Sequence, residues 1–353
     1  MGEARQGRNA EVAVRLNLYV HFPFCRRKCG YCALYSRAGV ADEARDAYAR
    51  QLSGVLDRLI GEDAEGFFAG GFSTVYFGGG SPALCDLGPI FSSLRGRLAA
   101  DAEFTVELHP LDVTERTLDA LKAGGVNRIS MGLQSLDDAV LARMGRGYAA
   151  AEAERAFALV RREFDNAGVD LIAGLPGDDG FVDNLPQLAD WGLCHCSVYA
   201  LQNERGLADV PDDDTVMDRL SETAEFLSSL GLLRYEISNY ARPGFDCRHN
   251  RAVWRGEDYI GLGDGACGRI GRKRTRNFGG RHPEEETVSA AFDEKERRIF
   301  RLRTNEGLDA SGHDDWRDAL DGFVREGLLT KSGSVYRLTP RGMEVCDTVL
   351  AGL

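Results

Sequence analysis

An alternation of short β-rich runs with longer amphipathic stretches constrains the fold more than any other feature of this sequence. Six runs rich in apolar and β-branched residues occupy positions 16–20, 74–77, 104–108, 128–133, 168–174 and 196–201. Helical patterns lie between them, such as residues 114–123, which begin at a cap-like Thr114 and end before Gly124. Six such βα units predict an α/β fold with a parallel sheet that forms an open or partial barrel. Such a barrel presents its chemistry at the carboxyl ends of its strands.

The remaining sequence predicts appendages on this barrel. We expect a flexible N-terminus at residues 1–15, the partial barrel at 16–210, an extension at 211–290 and a small C-terminal domain at 291–353. In the last segment Ser332 and Gly333 separate two short apolar runs, as the turn of a hairpin does. Helical patterns before that hairpin predict a winged-helix-like domain.

Charge and hydropathy limit the partners. The chain has 43 Lys and Arg against 55 Asp and Glu, a formal net charge of −12. This balance disfavours nucleic acid and anionic membranes as general partners. No apolar run reaches the roughly 18 residues of a membrane span, and the N-terminal residues lack the apolar core of a signal peptide. We therefore expect a cytoplasmic protein without a membrane span.

Three of the nine cysteines stand close together after the first β-rich run. Cys25, Cys29 and Cys32 are separated by three and two residues, with basic residues at 26–28 between them. Three thiolates in one loop can bind three irons of a 4Fe–4S cluster and leave the fourth iron open. Nearby cations lower thiolate pKa and offset the negative charge of a cluster. The alternative is a zinc site, with His21 as the fourth ligand.

Further polar or glycine positions follow the later runs. Gly78, Gly79 and Gly80 end the second run and permit close backbone approach to a ligand. Four polar side chains come after them in chain order: Glu107, Gln134, Arg146 and Asp170. A carboxylate suits an ammonium or ribose partner, an amide both donates and accepts, and a guanidinium pairs with a carboxylate. Taken singly, Glu107, Arg146 and Asp170 are interpreted as solvated or salt-bridged residues rather than as ligands.

The cysteine spacing, with an aromatic Tyr31 before the last cysteine, resembles the radical SAM superfamily. The resemblance implies that Cys25, Cys29 and Cys32 hold a 4Fe–4S cluster. It also implies that the open iron binds the amino and carboxylate groups of S-adenosylmethionine, whose reduction gives a 5′-deoxyadenosyl radical. Further implied contacts to S-adenosylmethionine come from Gly78, Gly79, Gly80, Glu107, Gln134, Arg146 and Asp170.

Longer segments resemble the oxygen-independent coproporphyrinogen III oxidase family. They are LYVHFPFC, YFGGGSP, RISMGLQS, DLIAGLPG and the stretch from YEISNYARPG to GDGACG, with Tyr19 and His21 matching the family's Tyr and His before the first cysteine. Leu34 stands where true oxidases have a fourth cysteine, and Cys25 lies too near the start for their longer N-terminal extension. Both departures favour the HemW-type branch, regarded as heme chaperones. Residues 211–290 then form a family-specific extension, and 291–353 a HemW-like C-terminal domain.

Two positions bear on heme. His249 begins HNRAVW, which matches the branch's His-Asn-x-x-Tyr-Trp motif except at Val253. Cys267 replaces a His common in relatives, and it is either a heme ligand or a small buried residue. His249 is likewise either a heme contact or a structural histidine. The resemblance implies heme or porphyrin, a heme-acceptor protein and an electron donor as partners.

Other interpretations remain open from sequence. The protein could instead be an enzyme that decarboxylates coproporphyrinogen III or a radical SAM methylase. A DNA-reading role for the C-terminal domain is disfavoured because acidic residues offset its cations. The basic run 272–276 is a solvated turn, or a site for an acidic partner or porphyrin propionates. The other cysteines, Cys85, Cys194, Cys196, Cys247 and Cys346, are predicted to lie in the core.

Overall fold

The computed structural model describes residues 16–63, 66–277 and 283–353, so the predicted flexible segment 1–15 lies outside these ranges. The strands, in chain order, are β1 (Leu16–Phe22), β2 (Phe24–Cys25), β3 (Arg37–Ala38), β4 (Phe72–Gly79), β5 (Leu98–Leu108), β6 (Arg128–Gln134), β7 (Asn166–Ala173), β8 (His195–Ala200), β9 (Leu233–Arg234), β10 (Asn239–Ala241), β11 (Tyr259–Leu262), β12 (Cys267–Ile270), β13 (Lys273–Arg276), β14 (Glu284–Thr287), β15 (Leu308–Asp309), β16 (Leu329–Ser332) and β17 (Val335–Leu338).

Helices occupy most of the connections between these strands. The α-helices are α1 (Asp42–Gly61), α2 (Gly88–Leu94), α3 (Glu115–Ala123), α4 (Asp138–Arg143), α5 (Ala150–Glu163), α6 (Phe181–Asn184), α7 (Asp213–Ser229), α8 (Arg248–Trp254), α9 (Ala290–Leu302), α10 (Asp314–Arg325), α11 (Pro340–Glu344) and α12 (Cys346–Ala351). Helix α3 begins as predicted, because the Thr114 side chain accepts a hydrogen bond from the Thr117 amide at 3.1 Å.

The central sheet has the strand order β14-β13-β12-β11-β1-β4-β5-β6-β7-β8-β10-β9. In the run from β11 to β8, each strand is parallel to the next one in this order. Six of them are the predicted runs, which confirms the α/β class and the open parallel barrel. The seventh, β11, comes from the glycine-rich region and pairs with β1. The predicted extension 211–290 therefore contributes a strand to the barrel itself.

The two faces of the sheet differ in chemistry. Alternate residues of β1, Leu16, Leu18 and Val20, are fully buried in the main core, which also contains Leu52 and Leu56 of α1. The residues between them, and their counterparts on the neighbouring strands, carry polar groups. These groups hydrogen bond across the sheet, in the pairs Tyr76–Glu107, Thr74–Asn17 and Ser130–Asp170. The inner face is thus a polar surface held by apolar packing behind it.

The C-terminal segment has its own core and a winged-helix-like arrangement. Helices α9 and α10 pack on an antiparallel sheet of order β15-β17-β16, and its core includes Leu320, Tyr336 and Val349. The predicted hairpin turn is present, with Gly333 at φ +61° between β16 and β17. A bridge from Glu236 to Thr304 joins this part to the barrel extension.

The basic run 272–276 is a partly exposed strand rather than a turn over most of its length. Most of it forms strand β13, which pairs with the acidic strand β14. Lys273 Nζ lies 2.7 Å from Glu285, and Arg274 Nη2 lies 2.6 Å from both Asp293 and Glu296 of α9. Acids of this chain therefore already face these cations. Among the described residues, no helix is both long and apolar enough to cross a membrane.

Candidate functional site

The cysteine loop follows β1 at the carboxyl end of the barrel. Cys25 lies in β2, which pairs with β3, and the Cys32 amide donates a hydrogen bond to the Cys29 carbonyl at 3.2 Å. All three thiols are free and half-buried. Burial, followed by the nearby Cys32 and Cys29 thiols, raises the pKa of Cys25 to about 11. The structure thus brings the three predicted cysteines to one place.

The described residues do not supply the ligand set of a single zinc ion. Within the described ranges, no three His, Cys, Asp or Glu side chains are grouped as ligands of one metal ion. A 4Fe–4S cluster binds its thiolates through separate irons, so it suits thiols that do not meet at one point. Both ring nitrogens of His21 are engaged, Nδ1 with the Tyr19 hydroxyl at 3.0 Å and Nε2 with the Tyr35 carbonyl at 2.9 Å. His21 therefore supports the loop and offers no nitrogen to zinc.

The three predicted glycines lie close to Glu107, to His21 and to the backbone of this loop, respectively. The Gly80 amide donates to the Phe22 carbonyl at 2.8 Å. A Cβ at Gly78 would stand 2.9 Å from the Glu107 carboxylate, and one at Gly79, whose φ is +108°, would stand 2.5 Å from the His21 ring. One at Gly80 would collide with a backbone carbonyl of the cysteine loop. A backbone carbonyl therefore leaves no room for a side chain at Gly80, and the positive φ favours glycine at Gly79.

Two carboxylates face the same interior from β5 and β7. Glu107 accepts hydrogen bonds from the Tyr76 hydroxyl at 2.9 Å and the Gly79 amide at 3.1 Å. Burial, and then the charge of Asp170, raise the pKa of Glu107 to about 7. Asp170 accepts from the Ser130 hydroxyl at 3.0 Å, and burial raises its pKa as well. A cationic or hydroxyl-bearing ligand would stabilise the ionised form of each carboxylate.

Arg146 lies in the loop between α4 and α5 and reaches the cysteine loop. Its Nη1 is 3.5 Å from Cys29 Sγ and donates to the Tyr31 hydroxyl at 3.3 Å. Its Nη2 donates to the Gly132 carbonyl at 2.5 Å, and its Nε donates to the Tyr148 hydroxyl at 3.0 Å. The guanidinium is therefore a fixed positive charge beside one of the three thiols.

Gln134 occupies a strained position at the end of β6. Its φ of +73° lies in the left-handed region, which costs a non-glycine residue on the order of 1 kcal/mol. The register between β6 and β7 shifts by one residue between Gly132 and Gln134. This bulge changes the direction of the side chain where the strand reaches the site.

The two heme candidates differ in exposure. His249 on α8 is buried in the barrel interior, where its Nδ1 shares a hydrogen bond with the Thr74 hydroxyl at 2.7 Å. Burial lowers the pKa of His249 to about 3, so its ring is neutral. Cys267 on β12 is exposed, so the alternative of a small buried residue is wrong. Its thiol is one of the groups, after burial and Glu107, that raise the pKa of Tyr19, which places it near the site.

Some residues of the site were absent from the sequence-based prediction. Tyr76 and Tyr148 orient Glu107 and Arg146 through their hydroxyls, and Asp112 contacts the cysteine loop. Their positions adjoin the motifs in sequence, but the pairings depend on the folded barrel. The other cysteines, Cys85, Cys194, Cys196, Cys247 and Cys346, are buried as predicted.

This fold, with its cysteine loop and glycine-rich strand end, defines a radical SAM protein. The family model of the radical SAM superfamily matches residues 19–181. In overall fold the chain is similar to coproporphyrinogen III oxidase (HemN) from Escherichia coli, with a TM-score of 0.79, 23% identity, and 97% of this chain and 91% of that chain covered.

Sequence relatives define the family more closely. The chain is 33% identical over 377 residues to the heme chaperone HemW of Escherichia coli strain K12. The alignment covers 95% of this chain and 97% of the relative. It is 32% identical over 376 residues to the heme chaperone HemW of Mycobacterium tuberculosis strain H37Rv, with 95% and 94% covered. The chain therefore belongs to the HemW family, and the resemblance drawn from its motifs is confirmed.

Proposed function

We propose that this protein binds a 4Fe–4S cluster, S-adenosylmethionine and heme, and that it passes heme to an acceptor protein. The observation that carries the proposal is the proximity of three half-buried thiols, three closely packed glycines and the Arg146 cation at one end of the barrel. Cys25, Cys29 and Cys32 would hold the cluster. When bound, the cluster supplies an open, reducible iron at which S-adenosylmethionine can be cleaved.

The surrounding side chains suit the polar ends of S-adenosylmethionine. Glu107 is held by two donors and would accept the methionyl ammonium, while the glycines allow that group to approach the backbone. Asp170, paired with Ser130, would accept ribose hydroxyls. Arg146 would attract the methionyl carboxylate. Gln134 and Tyr19 would complete the pocket.

The heme part of the proposal draws on the relatives, which are named heme chaperones. Of the two candidate ligands, the exposed Cys267 thiol is reachable from solvent. The His249 side chain, on α8, is buried against the barrel strands. A thiolate can bind heme iron directly. We therefore assign the first heme contact to Cys267, and contact with His249 would require α8 to move.

Two protein partners complete the proposed cycle in the cytoplasm. An electron donor would approach the cysteine loop, where Arg26, Arg27 and Lys28 are exposed around the half-buried thiols. These cations would attract an acidic electron carrier to a chain that is negative overall. The heme acceptor would approach the Cys267 side.

Anaerobic reconstitution of the full chain with iron and sulfide tests the proposal. We expect a cluster absorbance that is lost in Cys29→Ala, S-adenosylmethionine binding that depends on the cluster, and a saturable Soret band on heme titration. The Soret band should weaken most in Cys267→Ala and less in His249→Ala. Protein that takes up no cluster contradicts the radical SAM part, and the absence of saturable heme binding contradicts the chaperone part.

The same sample distinguishes a chaperone from an oxidase. Formation of 5′-deoxyadenosine together with a decarboxylated porphyrinogen would identify the oxidase activity instead. The chain has an exposed leucine, Leu34, at the position of the oxidases' fourth cysteine, so we expect no such product.

A further inference from the structure

We propose that Asp112 is a positioning residue that fastens the cysteine loop to the glycine-rich strand end, and thereby controls cluster retention and S-adenosylmethionine affinity. The inference rests on the proposed function for its cofactors. Asp112 belongs neither to the cysteine motif nor to the residues proposed to contact a cofactor.

Asp112 lies at the end of the 3₁₀ turn Pro110–Asp112, directly after the strand that carries Glu107. It is buried, with 5% of its surface exposed. Its Oδ1 accepts a hydrogen bond from Arg26 Nε at 2.7 Å, and the Arg26 Nη2 lies 2.5 Å from the same oxygen. Its Oδ2 accepts a hydrogen bond from the Ser81 hydroxyl. Both carboxylate oxygens are therefore used.

The two donors come from the two segments that meet at the site. Arg26 directly follows Cys25, and Ser81 directly follows the three glycines. The Ser81 amide also donates to the Phe24 carbonyl at 2.7 Å, so backbone and side chain tie the same two segments. Asp112 adds the β5 segment as a third. One carboxylate thus fixes the relative position of the cysteines, the glycines and Glu107.

The charge of Asp112 makes this contact stronger than a neutral one. A hydrogen bond to a charged group stabilises more than a bond between neutral groups, and a buried carboxylate loses that advantage when it becomes an amide. Arg26 is 55% exposed, so solvent weakens part of the attraction. The Ser81 bond is buried and is not screened in this way. Small displacements of a binding group have large effects on ligand geometry.

Asp112→Asn in the full chain tests the inference. We expect cluster loss to an iron chelator to become about tenfold faster, and S-adenosylmethionine to bind about tenfold more weakly, the scale of one lost charge-assisted hydrogen bond. Arg26→Gln should produce part of the same change. The double variant should resemble Asp112→Asn alone, since both substitutions remove one shared interaction.

Glu115→Gln is the matched control. Glu115 is an acid only three residues away, but it is exposed and pairs with Arg162 at 3.6 Å on the surface. Chelation rate and affinity should stay at the wild-type values. A purely structural role for Asp112 predicts a lower unfolding midpoint with unchanged affinity in the folded, loaded variant, and that result would overturn the inference.

Two further measurements test the inference if Asp112→Asn does not fold or if the wild type takes up no cluster. If Asp112→Asn does not fold, Ser81→Ala removes only the hydroxyl, and wild-type cluster retention in both Ser81→Ala and Arg26→Gln would overturn the inference. Amide hydrogen exchange of residues 24–37 in protein without cofactors needs no cluster. Faster exchange in Asp112→Asn supports the fastening role, even if the wild type takes up no cluster. A wild type without a cluster contradicts only the proposed function. Unchanged exchange contradicts the fastening role itself.

Discussion

The two ends of the barrel interior use similar polar residues in opposite ways. At the carboxyl end, here called the mouth, the thiols of Cys25, Cys29 and Cys32 are half-buried, and Glu107 has a raised pKa. At the amino end, here called the floor, polar side chains bond to one another, including Asn17, Thr74, Glu103, Arg128, His195 and His249. The floor therefore uses most of its polar groups in internal hydrogen bonds, with Arg128 Nε and His195 Nδ1 as exceptions, whereas the mouth keeps groups that a ligand can engage.

Burial explains why the histidine rings of the floor are uncharged. Burial lowers the pKa of both His195 and His249, so neither ring carries a charge at neutral pH. Glu103 accepts hydrogen bonds from the Arg248 and His249 amides at 3.0 and 3.1 Å. These bonds hold the start of α8 against β5. The His249 ring in turn bonds the Thr74 hydroxyl of β4, so this residue contacts two strands of the floor.

The largest expected effect is at the mouth. Cys29→Ala should abolish the 4Fe–4S cluster, because two thiolates leave the cluster without its third protein ligand. Iron and sulfide analysis after anaerobic reconstitution measures this. Cys346→Ala, in the C-terminal core, should load normally. Equal cluster content in the two variants would remove the functional contrast between the mouth and the rest of the chain.

Next in size is a stability effect at the floor. Glu103→Gln should lower the free energy of unfolding by about 2 kcal/mol, because it removes the buried charge that accepts hydrogen bonds from the Arg248 and His249 amides and that lies near the Arg128 cation. Urea denaturation of the protein without cofactors measures the change. Cluster uptake by the folded fraction should remain. A variant of wild-type stability would mean that the floor network contributes little.

Glu107 should couple ligand binding to pH. Its pKa of about 7 lies above the ordinary 4.5, so the folded protein holds a proton that the unfolded chain releases between these values. The wild type should therefore lose stability relative to Glu107→Gln as pH rises from 4.5 to 7. S-adenosylmethionine should bind more tightly over pH 6 to 8, when the carboxylate ionises, and about tenfold more weakly to Glu107→Gln. Parallel pH profiles for the two proteins would contradict this assignment.

The smallest effect concerns approach to the mouth from outside. Reversing Arg27 and Lys28 to Glu should slow cluster reduction by an acidic protein carrier severalfold at low salt, since these exposed charges steer encounter. Reduction by dithionite, which needs no protein docking, serves as the control. Equal slowing with both reductants would indicate damage to the cluster rather than lost steering.

Local patterns made most of the fold predictable. The six parallel strands and helix α3 follow from hydrophobic runs and caps that lie within a few residues. Strand β11 escaped prediction because it is short and rich in glycine, and only pairing with the distant β1 makes it a strand. Cys267 has apolar and glycine neighbours in sequence, yet β12 leaves its side chain exposed.

In the site, too, local motifs were predictable from the sequence, whereas contacts between distant segments were not. The cysteines and glycines are local motifs, and the fold brings them together. The contacts of Asp112 join segments far apart in the chain, so no spacing in the sequence reveals them. The roles assigned to Glu107, Gln134, Arg146 and Asp170 stay predictions for binding experiments.

The pairing of β1 with β11 also governs when the site can form during synthesis. The first strand leaves the ribosome early, but the Asn17 side chain finds the Asp258 carbonyl only 241 residues later. At about 5–20 residues per second, the outer edge of β1 waits tens of seconds for its neighbour. An unpaired parallel edge next to three thiols is an aggregation and oxidation hazard. Insertion of iron and sulfur is therefore expected to follow chain completion rather than accompany it.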